Sequence, residues 1–319
     1  MRVLVTGGAG FIGSHLTERL LADGHEVCIL DDLSTGRLES IAHLVDDPRV
    51  DWRLGSVLDP ATVAAAMAGC DHVAHLAAAV GVRLVVEQPL ASLDTNLRGS
   101  LTVLEEAHRV GARVLFTSSS EVYGRNAQDR LHEDDDRRIG APQVSRWSYS
   151  EAKAVVESLL HAHHRQSGLE TVTVRLFNTV GPRQTGLYGM VVPRLVTQAL
   201  RGDPLTVYGD GSATRCFCHV DDVVDALVGL LAHPDATGRV FNVGSTEEVS
   251  VDELAHRIRA ITGSASKIEY VPYEQAYGPD FEEMPRRVPD TTRIETLLGW
   301  APTYDLDGIL RAVVADLRS

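Results

Sequence analysis

No run of the chain's 319 residues is apolar over the roughly 20 positions that a membrane-spanning helix needs. Nor does an apolar leader stand ahead of the first β-branched run, so a cytoplasmic protein is expected. Cysteine is scarce, at Cys28, Cys70, Cys216 and Cys218. The last two have no partner pair, so neither a zinc site nor a disulfide framework is expected, and no metal is assigned. Basic residues are in deficit: 30 Lys and Arg stand against 44 Asp and Glu, for a net charge of −14. With no basic stripe, nucleic acid is excluded as a partner, although a few local arginines suffice for a small anion. There is no internal repeat. The remaining composition, 44% hydrophobic and 23% charged, is that of a globular protein too long for one core.

Residues 2–5 read as a short buried strand, followed by Gly7-Gly8-Ala9-Gly10-Phe11-Ile12-Gly13 and an amphipathic helix over 14–22 that ends at Gly24. Strand, glycine turn and helix in that order suit a dinucleotide. Gly7 permits the tight turn, Gly10 lets the backbone approach a pyrophosphate, and Gly13 lets the helix pack on the sheet. The phosphates would then meet unpaired amides at the positive end of the helix. A second strand over 26–30 delivers Asp31, 18 residues beyond Gly13, where an acid accepts the ribose hydroxyls. Asp32 follows with no arginine beside it to greet a 2′-phosphate, so NAD is expected rather than NADP.

Apolar, β-branched runs recur at 27–30, 51–54, 72–76, 113–118 and 171–177, with helical stretches between them. Those stretches include a short helix over 60–68 and one long helix over 93–110 closed by Gly111. This rhythm predicts an α/β fold, a Rossmann-type doubly wound parallel sheet with a smaller C-terminal α/β substrate lobe. The pattern breaks after Gly181-Pro182, returns through a helix over 220–233 and the run to Val243, and continues with a helix over 251–262. The expected division is therefore discontinuous. Residues 1–178 with 216–245 make the dinucleotide domain, and 179–215 with 246–319 the second lobe. The acidic run 133–136 is read as a solvated loop, and His161, His163 and His164 as solvated cations at a helix end.

Tyr149 and Lys153 lie four apart, on one face of a helix that Ser148 can start with Glu151 completing a capping box. Bringing a phenol from its usual pKa of about 10 to near 7 requires about 4 kcal/mol in favour of the phenolate. A nearby ammonium and a positive nicotinamide ring can supply energy of that order. A hydroxyl should join them from the end of a neighbouring strand, and Ser119 or Ser120 is placed for it. Glu121 reads equally as a surface acid or as a catalytic carboxylate.

Over nearly its whole length the chain resembles the extended short-chain dehydrogenase/reductases, in the NAD-dependent nucleotide-sugar epimerase/dehydratase family. The matching pieces are residues 6–13, Asp31-Asp32-Leu33, His75-Leu76-Ala77-Ala78, Asn96, residues 119–124, Tyr149 with Lys153, and residues 175–184. The resemblance implies NAD contacts from Gly7, Gly10, Phe11, Ile12, Gly13, Asp31, Asp32, Leu76, Ala77, Ala78, Asn96, Tyr149 and Lys153. The family often has Asp after Gly in the third-strand loop, whereas Gly55-Ser56-Val57 stands here, so Ser56, Val57 or nearby Asp59 would serve adenine. It further implies that Asn178 and the chain around Val192 hold the nucleotide, and that Arg215 and Arg287 hold its diphosphate. Ser119, Ser120, Arg83, Arg194 and Tyr208 complete the expected substrate contacts, and Tyr149, Lys153, Ser119, Ser120 and Glu121 the expected catalytic set.

Such enzymes share a first step, in which the tyrosine takes the 4-hydroxyl proton as the sugar is oxidised at C4. Sugar 4,6-dehydratases carry Asp where Ser120 stands, which argues against dehydration. UDP-glucuronate decarboxylases are similar in their Ser-Glu pair and in an arginine at the place of Arg287. The segment 184–190 resembles UDP-glucuronate and UDP-glucose 4-epimerases more closely. The resulting expectation is a UDP-sugar 4-epimerase interconverting UDP-glucuronate and UDP-galacturonate. Decarboxylation to UDP-xylose and UDP-glucose 4-epimerisation are the alternatives, with a non-catalytic NAD-binding regulator last. Apolar faces on the helices over 93–110 and 151–166 suggest a homodimer built on a four-helix bundle.

Overall fold

Short β-branched runs make the strands, and alanine- and leucine-rich stretches between them make the helices. The computed structural model describes residues 1–187, 189–278, 282, 284 and 286–318, with Val82 and Arg83 described in backbone only. The strands are β1 (Arg2–Thr6), β2 (Glu26–Asp31), β3 (Val50–Leu54), β4 (His72–His75), β5 (Arg113–Ser119), β6 (Thr171–Leu176), β7 (Thr179–Val180), β8 (Leu205–Tyr208), β9 (Thr214–Cys216), β10 (Cys218–His219), β11 (Arg239–Val243), β12 (Glu248–Ser250) and β13 (Ile268–Val271). The helices are α1 (Phe11–Ala22), α2 (Pro60–Met67), α3 (Val82–Glu87), α4 (Pro89–Leu93), α5 (Ser100–Val110), α6 (Trp147–Ser167), α7 (Val191–Arg201), α8 (Val220–Ala232), α9 (Val251–Thr262), α10 (Tyr273–Tyr277), α11 (Thr292–Leu298) and α12 (Leu306–Arg318).

Seven strands form one parallel sheet in the order β11-β6-β5-β4-β1-β2-β3. The strand order reverses between β1 and β4, and in such sheets the ligand crevice opens beyond the carboxyl ends of the strands at that switch. Helices cover both faces, so the central strands β1 and β2 carry apolar runs rather than alternating: Val3, Leu4, Val5, Cys28, Ile29 and Leu30 have no exposed surface. One apolar cluster lies between the sheet and α1 and α8, and another beneath α2, α5 and α6. Each fully buried leucine there, such as Leu16 or Leu104, contributes about 2 kcal/mol. The second lobe packs α7, α9 and α12 around its own core with the parallel pair β8 and β13 and the antiparallel pair β9 and β12. Among the described residues no helix is long and apolar enough to cross a membrane.

Three sequence expectations need correction. The C-terminal part does not lie wholly in the second lobe: Ile294 of α11 and Trp300 pack in the α1/α8 cluster, and the Trp300 indole donates to Asp222 O at 2.9 Å. The single helix over 93–110 is interrupted, because residues 94–99 form a π turn that carries the Asn96 side chain to the loop after β4. The Ser148–Glu151 capping box is absent. The helix α6 starts two residues earlier, with Arg146 at its N-cap position and no side-chain cap, and the Ser148 hydroxyl instead donates to Ser145 O at 2.7 Å.

Candidate active site

The crevice at the switch point begins with backbone that only glycine tolerates. Gly7 has φ of +72°, and a Cβ there would lie 2.8 Å from Ala77 N. On Gly13 a Cβ would lie 2.1 Å from Gly7 O, so any side chain would pry α1 off the turn. The helix has neither a side-chain cap nor an acidic residue in its first turn, which leaves its positive end suited to a pyrophosphate. Asp31 lines the end of the crevice where the adenosine half is expected. Its Oδ2 accepts Ala9 N at 3.0 Å and its Oδ1 accepts Leu33 N at 2.8 Å, while burial pushes its pKa up. Phe11, Ile12, Asp32, Val57, Leu76, Ala77 and Ala78 line the same crevice.

Three residues expected at the cofactor have polar atoms bonded to the protein's own backbone. The Ser56 hydroxyl accepts Leu58 N, and Asp59 caps α2 through Ala61 N, which commits its carboxylate away from a base. Asn96 is 1% exposed and clasps Ala79, accepting from its N at 2.9 Å and donating to its O at 3.0 Å. It therefore shapes the crevice loop from behind.

Buried His75 joins that clasp to the sheet. The Ser100 hydroxyl donates to Asn96 O, so it must accept from His75 Nε2 at 2.9 Å. Thr6 Oγ1 accepts Ala77 N, so its hydrogen goes to Nδ1 at 2.7 Å. The donor inventory assigns the neutral Nε2–H tautomer, and burial, with Lys153 beyond it, pushes the pKa down to about 3.

At the inner end of the crevice, Tyr149, Lys153 and Ser119 converge on a second pocket that shares Phe11, Ile12, Leu76 and Thr117 with the first. Lys153 Nζ donates to Thr117 O at 2.8 Å and lies 5.9 Å from the Tyr149 ring centre. Burial pushes its pKa down to about 7, with Glu157 pulling the other way. Glu157, one turn further along α6, is itself held by Arg175 at 2.9 and 2.7 Å and by the Ser118 hydroxyl at 2.6 Å. The Tyr149 phenol is pushed up by burial and by Glu121, and a hydrogen bond with Ser119 opposes them. With burial and Glu121 holding the phenol up, the positive nicotinamide ring expected beside the lysine would supply the charge that favours the phenolate.

Arginines dominate the far side of this pocket. Arg287 Nη1 donates to Glu121 Oε1 at 2.9 Å and to Ser120 Oγ at 3.3 Å, and its Nη2 lies 3.5 Å from Asn178 Oδ1. Arg146 Nη2 lies 3.5 Å from the same Glu121 oxygen. Burial pushes the Glu121 carboxyl up, but Arg146, Arg287 and Arg215 outweigh it and hold the group below its usual range. Three guanidiniums against one carboxylate leave a surplus of positive charge, which suits a dianionic diphosphate in a chain of net charge −14.

Val192, Arg194, Tyr208 and Arg215 line the outer part of this pocket. There the Arg194 guanidinium lies 4.2 Å from the Tyr208 ring centre and donates to Thr206 O at 2.7 Å. The Arg83 side chain lies outside the described residues. Sequence reasoning missed Arg146, although it precedes Tyr149 by three residues and so lies one helical turn earlier on the same side. A further signal lay in composition: Lys153 is one of two lysines in the chain, with Lys267.

The model of the NAD dependent epimerase/dehydratase family matches residues 3–244. A UDP-N-acetyl-alpha-D-glucosaminuronate decarboxylase of Bacillus cytotoxicus is 39% identical over 99% of this chain and 98% of its own length. UDP-glucuronic acid decarboxylase 1 of Danio rerio is 38% identical over 96% of this chain and 70% of its own. Among solved structures, the UDP-glucuronic acid 4-epimerase of Bacillus cereus, in complex with UDP-glucuronic acid and NAD, superposes with a TM-score of 0.89. It is 27% identical, covering 100% of this chain and 99% of that one.

Proposed function

Because the chain belongs to the NAD-dependent epimerase/dehydratase family, with NAD as its cofactor, we propose that it decarboxylates a UDP-hexuronate, with UDP-glucuronate as the first substrate to test. The observation that carries this reading is the Glu121–Arg287 pair beside Ser120 on the sugar side of Tyr149. Relatives at 36–39% identity that bear decarboxylase names support it over the 4-epimerase expected from the 184–190 segment.

NAD, which the turn between Gly7 and Gly13 and the Asp31 carboxylate would hold, would supply the hydride acceptor for C4 of the sugar. Tyr149 takes the 4-hydroxyl proton, and Ser119 orients that oxygen. Lys153, tied to Thr117 O, keeps a positive charge near the phenolate. The 4-keto uronic acid is a β-keto acid, which loses carbon dioxide when its C5–C6 bond stands perpendicular to the carbonyl plane. Arg287 offers the carboxylate a guanidinium, while Arg215 and the surplus positive charge take the diphosphate. The enolate left by loss of carbon dioxide takes its proton at C5 from a water molecule, which the ionised Glu121 carboxylate can orient.

A second reading, 4-epimerisation of the same substrate, draws on the likeness to the Bacillus cereus epimerase and on Gly189 in the loop that lines the pocket. Proton NMR of the holoenzyme with UDP-glucuronate separates them. A new pentose anomeric signal supports decarboxylation; a UDP-galacturonate signal overturns it. UDP-N-acetylglucosaminuronate run in parallel tests whether the 2-substituent matters. The active species is proposed to be a homodimer paired through α5 and α6, where Val155 is 47% exposed.

A further inference from the structure

Two guanidiniums hold Glu121, and they are committed differently. Arg287 divides its donors among Glu121, Ser120 and Asn178. Arg146 comes from the turn that opens α6, is 5% exposed, and has its guanidinium 5.9 Å from the Trp147 ring centre. Trp147 has no exposed surface and donates its Nε1 to Glu282 at 3.0 Å, so the platform under Arg146 is anchored.

We propose that Arg146 is a positioning residue that keeps Glu121 as a fixed, ionised carboxylate on the sugar side of Tyr149, so that Arg287 can turn to an anionic substrate while Glu121 stays charged. A substrate carboxylate entering the pocket competes with Glu121 for Arg287, and a buried carboxylate stripped of its cations takes up a proton. Arg146, 3.5 Å from Glu121 Oε1, remains. The groups that face Glu121 are Arg146 and the Tyr149 phenol from α6, Arg287 from the segment before α11, Arg215 from β9, and Ser120 with Ser119, whose hydroxyl accepts Glu121 N. Arg146 stands first among the cations that oppose burial there. This role rests on the substrate's being a hexuronate, but it concerns Glu121 whatever product forms.

The test is the pH dependence of UDP-glucuronate consumption by holoenzyme carrying Arg146→Gln or Arg146→Lys, with carbon dioxide counted separately. A carboxylate that must be ionised is lost as pH falls. Arg146→Gln should therefore move the acid limb of kcat upward by about one pH unit, a tenfold change in ionisation, with KM altered less than about threefold. Arg146→Lys should restore most of the shift. A uniform loss at every pH, or a loss confined to KM, overturns the proposal. Should Arg146→Gln not fold, it is combined with Glu121→Gln, which removes the buried anion it would strand. In that background the second substitution should cost less than about twofold, and a multiplicative loss refutes action through Glu121. Consumption without carbon dioxide would refute the decarboxylase reading and leave the acid-limb test intact.

Discussion

Glu157→Gln removes a charge on which both the fold and Lys153 depend. The carboxylate receives two hydrogen bonds from Arg175 and one from Ser118, and both charged side chains are 7% exposed. Breaking a buried pair by removing one partner strands the other, at a cost of about 3–5 kcal/mol. The same carboxylate opposes the burial that lowers Lys153. With Lys153 at about 7, roughly half of it is ammonium at neutral pH. A further fall of about one unit leaves about a tenth, so turnover at pH 7 should drop roughly fivefold. The sign follows from the charge. A cation with a depressed pKa regains its proton as pH falls, so the variant should recover towards pH 6. Thermal melts and a pH profile of kcat measure the two effects. A variant that melts like wild type, or whose deficit is equal at pH 6 and pH 8, would refute this account of the network.

Tyr149→Phe should lower kcat by about 10³ or more while UDP binding, measured by calorimetry, stays within about threefold; retained turnover would remove Tyr149 as the base. Gly13→Ala forces a Cβ to within 2.1 Å of Gly7 O. The purified variant should emerge without dinucleotide, and normal NAD content in its absorbance spectrum would contradict the close approach of α1 to the turn. Light scattering should give twice the chain mass for wild type and a smaller species for Val155→Glu. A wild-type monomer would rule out the α5/α6 pairing.

Much of this architecture was legible because parallel strands buried on both faces must be continuous apolar runs, and because glycine is the one residue that fits at 7 and 13. The unreadable parts depend on contacts remote in sequence. Asn96 looked like a cofactor contact, yet its side chain is consumed by Ala79, a partner visible only once the loop after β4 is in place. The lobe boundary failed for a similar reason: Ile294 and Trp300 lie deep in the C-terminal part but fill the α1/α8 core. Arg146 could not be told from a solvated helix-start cation until Glu121, 25 positions earlier, was seen beside it. The choice of reaction rests on which groups meet the sugar after C4 is oxidised. Epimerases and decarboxylases share the Tyr-Lys machinery, so the motif alone does not separate them.

The central claim is that the sugar's carboxyl carbon leaves. Carbon-13 NMR of the holoenzyme with UDP-glucuronate labelled at C6 follows that atom directly. The account predicts loss of the carboxylate signal with matching growth of bicarbonate and an unlabelled UDP-pentose. Label retained in the sugar, with a second carboxylate resonance from the 4-epimer, would contradict it.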